Sequence, residues 1–317
     1  MPFDFNAISS PFRMQPGLRR LAPGDPQLTP NRPGDRAWRE KLAVLHKHAH
    51  QALLMSPDFD PRPALRALFE HAAAEHPEAW RFESDGPVQA LQLGWAVRDG
   101  VATSIVADAP DEIGRCLAAL PPNWRSTALF CLAFAEDLAV IDGNTAHIPW
   151  LAVCLPSHWA PEEKIGQHFA EVHAPVADNR MLIAASDHLA RLVTGSDRWQ
   201  RWVWNVTNHP QLDAHPVRLQ GHDWPANVDA EQLAASAFLR TERQTFIPLT
   251  THRQAVFTIH VESQPLAQAI TEPEQAQRLH DALLSMSAAV LGYRHLTDAR
   301  DRLLMWLRGR GAGGGGG

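Results

Sequence analysis

Phe238–Pro248, FLRTERQTFIP, and Ala255–Pro265, AVFTIHVESQP, carry the reading that decides the fold. Both are rich in β-branched and aromatic residues, and a strand alternates its side chains between two faces. An extended Phe238–Thr250 places Arg240, Glu242 and Gln244 on one face and Thr241, Arg243 and Thr245 on the other. Ala255–Glu262 is the clearest strand in the chain.

Working outward, Arg201–Asn208 (RWVWNVTN) predicts another strand, followed by a Pro- and His-bearing loop over His209–Asn227 and a short helix from Asp229. Thr271-Glu272-Pro273-Glu274 has capping-box spacing and predicts a helix to about Leu291, with a last amphipathic helix over Thr297–Leu307. Upstream, Trp38, Leu42, Leu45, Ala49 and Leu53 fall on one helical stripe starting at Arg36, and Ala64–His76 predicts a second helix. VQALQLGWAV and VATSIVAD meet at Asp99-Gly100, a hairpin signal. Ala128–Ile141 suits a buried helix or a helix-to-strand element, His147–Leu155 a strand, and PEEKIGQHFAEVH and Asn179–Thr194 helices. This order predicts an α+β fold, a mainly antiparallel sheet with flanking helices. A Pro-rich arm is expected over 1–35, one domain over 36–308 and a flexible Gly-rich tail over 309–317.

Composition narrows the function. With 45% hydrophobic and 20% charged residues the 317-residue chain can bury a core. A net charge of −6 is the wrong sign for a general nucleic-acid coat or a binder of anionic membranes. Three cysteines, none in a C-x-x-C pair, do not make a disulfide framework or a four-cysteine metal site, and their apolar neighbours predict buried thiols. The N-terminus has no apolar h-region and Ala128–Ile141 is too short to span a bilayer, so a soluble, cytoplasmic setting is expected.

Nucleophile elbows and phosphate-binding loops are missing, apart from a trivial glycine match in the tail, and the Asn205-Val206-Thr207 sequon is expected to be idle. His46, His48 and His50 include an i,i+4 pair but no accompanying Glu base, and they read as solvated. Glu136-Asp137 interrupts an apolar run, as a structural cap or salt bridge or as an active-site acid. His173-Ala174-Pro175-Val176 gives the imidazole a fixed direction, which suits a satisfied structural histidine and also a haem ligand. Arg240 and Arg243 either clamp carboxylates such as haem propionates or pair with acids across the sheet.

Taken together, FLRTERQTFIP, AVFTIHVESQP, WAPEEKIGQHFAEVHAPV (Trp159–Val176), AFAEDL (Ala133–Leu138), the opening PFRMQPGLRRL and the closing helices resemble the haem-dependent oxidative N-demethylase family, from residue 11 to about 307. The R-x-E-R-Q-T segment is the most specific match. The chain departs from the family pattern at Ala177, where proline usually follows H-A-P-V, and at Val203, where an R-x-N-W motif has its amide. The resemblance implies a PAS-like fold holding haem b and oxidative N-demethylation of a small secondary amine, dimethylamine-like, by dioxygen to a primary amine and formaldehyde. It implies His173 as axial ligand to the haem iron, Arg240 and Arg243 as propionate or oxygen-side partners, and Glu242 or Asp137 as the carboxylate that takes the amine proton. Electrons are implied to come from a separate reductase bearing NADPH and flavin, within a complex or oligomer. A haem-binding PAS-like sensor, or a non-catalytic subunit of an oxidoreductase complex, is the alternative.

Overall fold

The computed structural model describes residues 2–84, 86–219 and 223–312. Its strands in chain order are β1 (Arg19–Arg20), β2 (Leu53–Met55), β3 (Trp80–Arg81), β4 (Val88–Ala90), β5 (Trp95–Arg98), β6 (Val101–Ser104), β7 (Asp137–Asp142), β8 (Trp150–Ala152), β9 (Trp199–Thr207), β10 (Phe238–Leu249) and β11 (Gln254–Pro265). The helices are α1 (Arg36–Ala52), α2 (Arg62–Glu75), α3 (Asp111–Ala119), α4 (Arg125–Ala133), α5 (Phe169–Val172), α6 (Arg180–Ala184), α7 (Ser186–Val193), α8 (Ala230–Ala235), α9 (Leu266–Ala269), α10 (Pro273–Leu284), α11 (Ala288–Tyr293) and α12 (Arg300–Ala312).

Seven strands form one sheet in the order β1-β9-β10-β11-β7-β8-β2, and β3 to β6 form a second. Every pairing within them is antiparallel. The fold is therefore α+β. Its centre is the long β10–β11 hairpin, with Phe238 opposite Pro265 and Leu249 opposite Gln254. Helices α1 to α4 and the smaller sheet build one core, around Trp38, Trp80, Phe130 and Phe134. A second core joins α8 and α10 to α12 to Trp204, Val206 and Leu239.

Local chemistry sets the element boundaries. Asp99 and Gly100 both take positive φ (49° and 74°), as the tight turn between β5 and β6 requires. A side chain at position 100 would also meet Pro122, with an added Cβ 2.7 Å from its ring. Ala128–Ile141 divides into the end of α4 and the start of β7, as its apolar density suggested.

Three expectations need correction. PEEKIGQHFAEVH is a 3-10 turn (Pro161–Glu163) and the short α5 rather than one helix. Gly166 turns with φ 72°, and the chain returns to pair with its past, Gly166 N donating to Ile148 O at 2.8 Å. The helix expected from Thr271 to Leu291 breaks after Leu284, because the Ser285 hydroxyl bonds back to Asp281 O and Ser287 caps α11 through Val290 N. Helix α12 runs through Ala312, into the stretch read as tail, and positions 313–317 lie outside the described residues.

The arm over 1–35 is largely irregular, as its prolines predict, but it is firmly seated. Glu75 accepts from Gln27 N and Leu28 N at 2.9 and 2.8 Å, and Glu136 accepts from Thr29 N at 2.9 Å.

Candidate functional site

The register of the central strands places the polar side chains of β10. Arg240, Glu242 and Gln244 stand opposite Asn205, Val203 and Arg201 of β9, and opposite Ser263, Val261 and Ile259 of β11. Cross-strand partners point to one side of a sheet, so Arg240, Glu242 and Gln244 share one face with Asn205, Arg201 and Ser263, and with the apolar Val203, Val261 and Ile259. Glu242 is buried and accepts from Gln244 Nε2 at 2.6 Å. Arg201 is its electrostatic partner: burial pulls the Arg201 guanidinium below its ordinary range while the Glu242 charge holds it up. The Arg201 Nε is buried with no hydrogen-bond partner.

A second buried guanidinium interacts with Arg201. Arg294, at the end of α11, lies between Phe12 and Trp204, 4.6 and 5.0 Å from the ring centroids, and donates to Trp204 O at 2.5 Å. Its Nε also lacks a partner, and among the described residues it makes no ion pair with a carboxylate. Burial pushes it down to about 10. An unpaired buried charge is costly; Arg201 has the Glu242 carboxylate to oppose it, and Arg294 makes no such pair among the described residues.

His173 caps the C-terminus of α5 within the influence of this cluster. Its Nδ1 lies 2.8 Å from Phe169 O, and a carbonyl can only accept, so Nδ1 carries the proton. Burial pulls its pKa down to about 4, opposed by the Phe169 hydrogen bond and reinforced by Arg201 and Lys164. At neutral pH the imidazole is therefore uncharged, with the Nε2 lone pair available to a metal. Asn179 Nδ2 fixes the exit of the segment by donating to His173 O and Ala174 O at 3.1 and 2.7 Å.

The other residues singled out in the sequence are placed differently. Arg240 is buried, but its donors are engaged by Ser157 Oγ (2.8 Å) and by the carbonyls of Gln211 (2.8 Å), Leu212 (2.6 Å) and Pro156 (3.2 Å). Arg243 faces the opposite side of the sheet, in register with Trp202 and His260, and donates to Pro26 O at 2.7 Å. Asp137 lies in a buried ion pair with Lys41 at 3.2 Å and accepts from Leu155 N at 2.6 Å. Burial raises the Asp137 carboxyl, and although burial also works against the Lys41 ammonium, the surrounding negative charge keeps Lys41 above its ordinary range. Glu136 turns the other way, to His260 Nδ1 at 3.2 Å and Thr29. Thus Arg201 interacts electrostatically with His173, Glu242 and Arg294, Arg240 lies within the influence of both Glu242 and Asp137, Asp137 is paired with Lys41, and Arg243 faces the other side of the sheet.

Arg201 entered the sequence reading only as part of a motif, and Arg294 was missed. Cross-strand pairing with Gln244 was the available signal for Arg201; Arg294, at the C-cap of α11 and 90 residues from Trp204 in the chain, had none.

Among the described residues no helix is long and apolar enough to cross a membrane, and no three His, Cys, Asp or Glu side chains are already gathered as a metal cage. A single axial histidine does not need such a cage. The fold and this cluster define an α+β protein with one neutral, backbone-oriented imidazole near two buried guanidinium groups, Arg201 with Glu242 as its electrostatic partner and Arg294 with no carboxylate ion pair among the described residues. Residues 36–304 match the family model described as haem-dependent oxidative N-demethylase, alpha subunit-like, and the chain belongs to that family.

Proposed function

We propose that the chain binds haem b through His173 Nε2 and performs oxidative N-demethylation of a small secondary amine, drawing electrons from a separate reductase subunit that carries flavin and uses NADPH. The observation that carries this reading is a neutral His173, its Nδ1 proton engaged by Phe169 O, within the influence of Arg201, whose buried Nε, like that of Arg294 near it, has no hydrogen-bond partner and suits a carboxylate. Haem, when bound, supplies the iron that activates dioxygen, and it brings two propionates that answer the unpaired charge of Arg294.

The protein's own part is positioning and proton control. Phe169 O orients the ligand ring and keeps the proton on Nδ1. Glu242, flanked in register by Val203 and Val261 and held by Gln244 Nε2, offers a buried carboxylate, which fits an alkylammonium and can take its proton so that the free amine is presented. Arg240 supports that face by fixing the loops at its end. Family membership and the absence of a nucleotide-binding motif in the sequence support an electron donor on another chain.

The test is reconstitution. Protein produced with a haem precursor should show a Soret band and close to one haem per chain by pyridine haemochrome assay, and should release formaldehyde from dimethylamine with a surrogate reductant. Protein that refuses haemin overturns the reading; haem binding without formaldehyde from any small N-methylamine replaces it with a sensor.

A further inference from the structure

The outermost strand of a sheet can pair with another chain, and among the described residues the two sheets end in β1, β2, β3 and β6. Three of these are blunted. β1 carries two exposed arginines, β3 is two residues long, and β2 is three residues long and largely covered. β6 differs. It reads Val101-Ala102-Thr103-Ser104 and runs on through Ile105, Val106 and Ala107, with no charge, proline or glycine in the run. Val101, Ile105 and Val106 are 60%, 39% and 45% exposed.

The hairpin fixes which backbone groups of β6 are open. Arg98 and Val101 close the Asp99-Gly100 turn, and Ile105 N donates to Gly94 O at 2.9 Å in the same register. The N–H and C=O groups of residues 101, 103 and 105 therefore face β5, and those of Ala102 and Ser104 face outward. Among the described residues no backbone group pairs with that outward side. Ala102 packs on the first core, so Val101, Thr103 and Ile105 stand on the outer face. The tip is held in place, Arg125 Nη1 donating to Gly100 O at 2.7 Å, which gives the edge a fixed direction.

We propose that β6 is an interface for a second copy of this chain, the two β6 strands pairing antiparallel about a two-fold axis through Thr103. In that register Ala102 of each copy stands opposite Ser104 of the other, which are the hydrogen-bonded pairs that the outward groups require. A slip of one residue would set outward groups against inward ones. Thr103 meets Thr103 as a non-hydrogen-bonded pair, where side chains come closest and paired threonines are favourable, and Val101 meets Ile105 on the same face. The charges agree with the antiparallel sense. Asp108, exposed just beyond the run, arrives at the turn end of the other copy's edge, where Arg98 stands in a loose 3.8 Å contact with its own Asp99. A parallel pairing would instead bring Asp108 beside Asp108. The contact is short, so a reversible dimer is expected, and it stands independently of haem.

The experiment is sedimentation velocity of the untagged full chain from roughly 1 to 100 μM. The mass should move from 35.1 kDa towards twice that value. Thr103→Lys, at an exposed position and checked by circular dichroism, sets two ammonium groups together at the axis and should raise the dissociation constant at least about tenfold. Thr103→Cys tests the register. Facing residues of a non-hydrogen-bonded pair have Cα atoms about 4.5 Å apart, within disulfide range, so mild oxidation should cross-link this variant into a dimer. The native cysteines are all buried, and Met305→Cys, equally exposed on α12, should not cross-link. A monomer at every concentration, a dimer indifferent to Thr103→Lys, or no cross-link in Thr103→Cys overturns the proposal. Protection of the Ala102 and Ser104 amides from hydrogen exchange only on adding the reductase subunit also overturns it, and assigns the edge to that partner.

Discussion

His173 shows how one backbone contact sets the chemistry of a side chain. Its folded pKa near 4 lies below the 6.5 of an unperturbed histidine, so the unfolded chain takes up the proton first. The contribution of His173 to stability is complete above about pH 6.5 and is lost as pH falls towards 4. Haem held by the neutral Nε2 should be released over the same window, which a Soret titration between pH 7 and 4 would follow; retention of an unchanged spectrum at pH 4 contradicts the ligand assignment. His173→Ala should cost the apoprotein about 0.5–1.5 kcal/mol, one hydrogen bond, while abolishing the native haem spectrum. Arg294→Met makes the complementary case. Removing an unpaired buried charge should leave apoprotein stability within about 1 kcal/mol of wild type in urea unfolding, yet weaken haem binding about tenfold or more. Equal haem affinity in the variant would remove Arg294 from the site.

At the scale of elements, α1 and β7 are joined by the buried Lys41–Asp137 pair, whose ammonium also donates to Phe134 O and Glu136 O at 3.1 and 2.5 Å. Lys41→Met should destabilise by about 3–5 kcal/mol because it strands a buried carboxylate, and the double variant with Asp137→Leu should recover much of the loss. Chemical denaturation of the four-member cycle measures this coupling, and additivity of the two changes would mean that the pair is not a unit. The sequence showed that Glu136-Asp137 interrupts an apolar run and must find partners, but the partners come from α1, the arm and β11, which no local pattern joins. The same limit explains the sites. Alternation along β10 correctly separated Arg240, Glu242 and Gln244 from Arg243, since that follows from strand geometry alone. It did not show that Arg240 is consumed by loop carbonyls, because those loops arrive from residues 155–157 and 211–212. Nor did helical composition reveal that Gly166 and Ser285 stop their helices, where a bridge to Ile148 and side-chain bonds to the backbone compete with propagation.

Across the whole molecule, the arm over 1–35 links the two cores although it lies outside the residues matched to the family. Phe3, Phe5, Ile8 and Phe12 pack on the C-terminal core, Arg19 and Arg20 pair with the outer edge of β9, and Gln27 to Thr29 are held by Glu75 and Glu136 on the other core. Both glutamates are held below their ordinary 4.5, against the effect of burial, by neighbouring histidines and by the arm's own N–H groups. Their stabilisation is present above about pH 4.5 and fades as pH falls through the lower folded values, so acid should loosen this strap before the β10–β11 hairpin separates. A chain lacking residues 2–21 should lose about 3–5 kcal/mol, since it uncovers Ile8 and three partly buried aromatic rings. It should also shift tryptophan emission to the red, because Phe3 and Phe12 no longer cover Trp202 and Trp204, and associate more readily through the opened edge of β9. Phe12 is one of the two rings that hold the Arg294 guanidinium, so the same truncation should weaken haem binding without touching His173. Urea unfolding, emission spectra and a haem titration on one truncated protein separate these effects. Unchanged haem affinity in a chain whose stability has fallen would show that Trp204 alone positions Arg294.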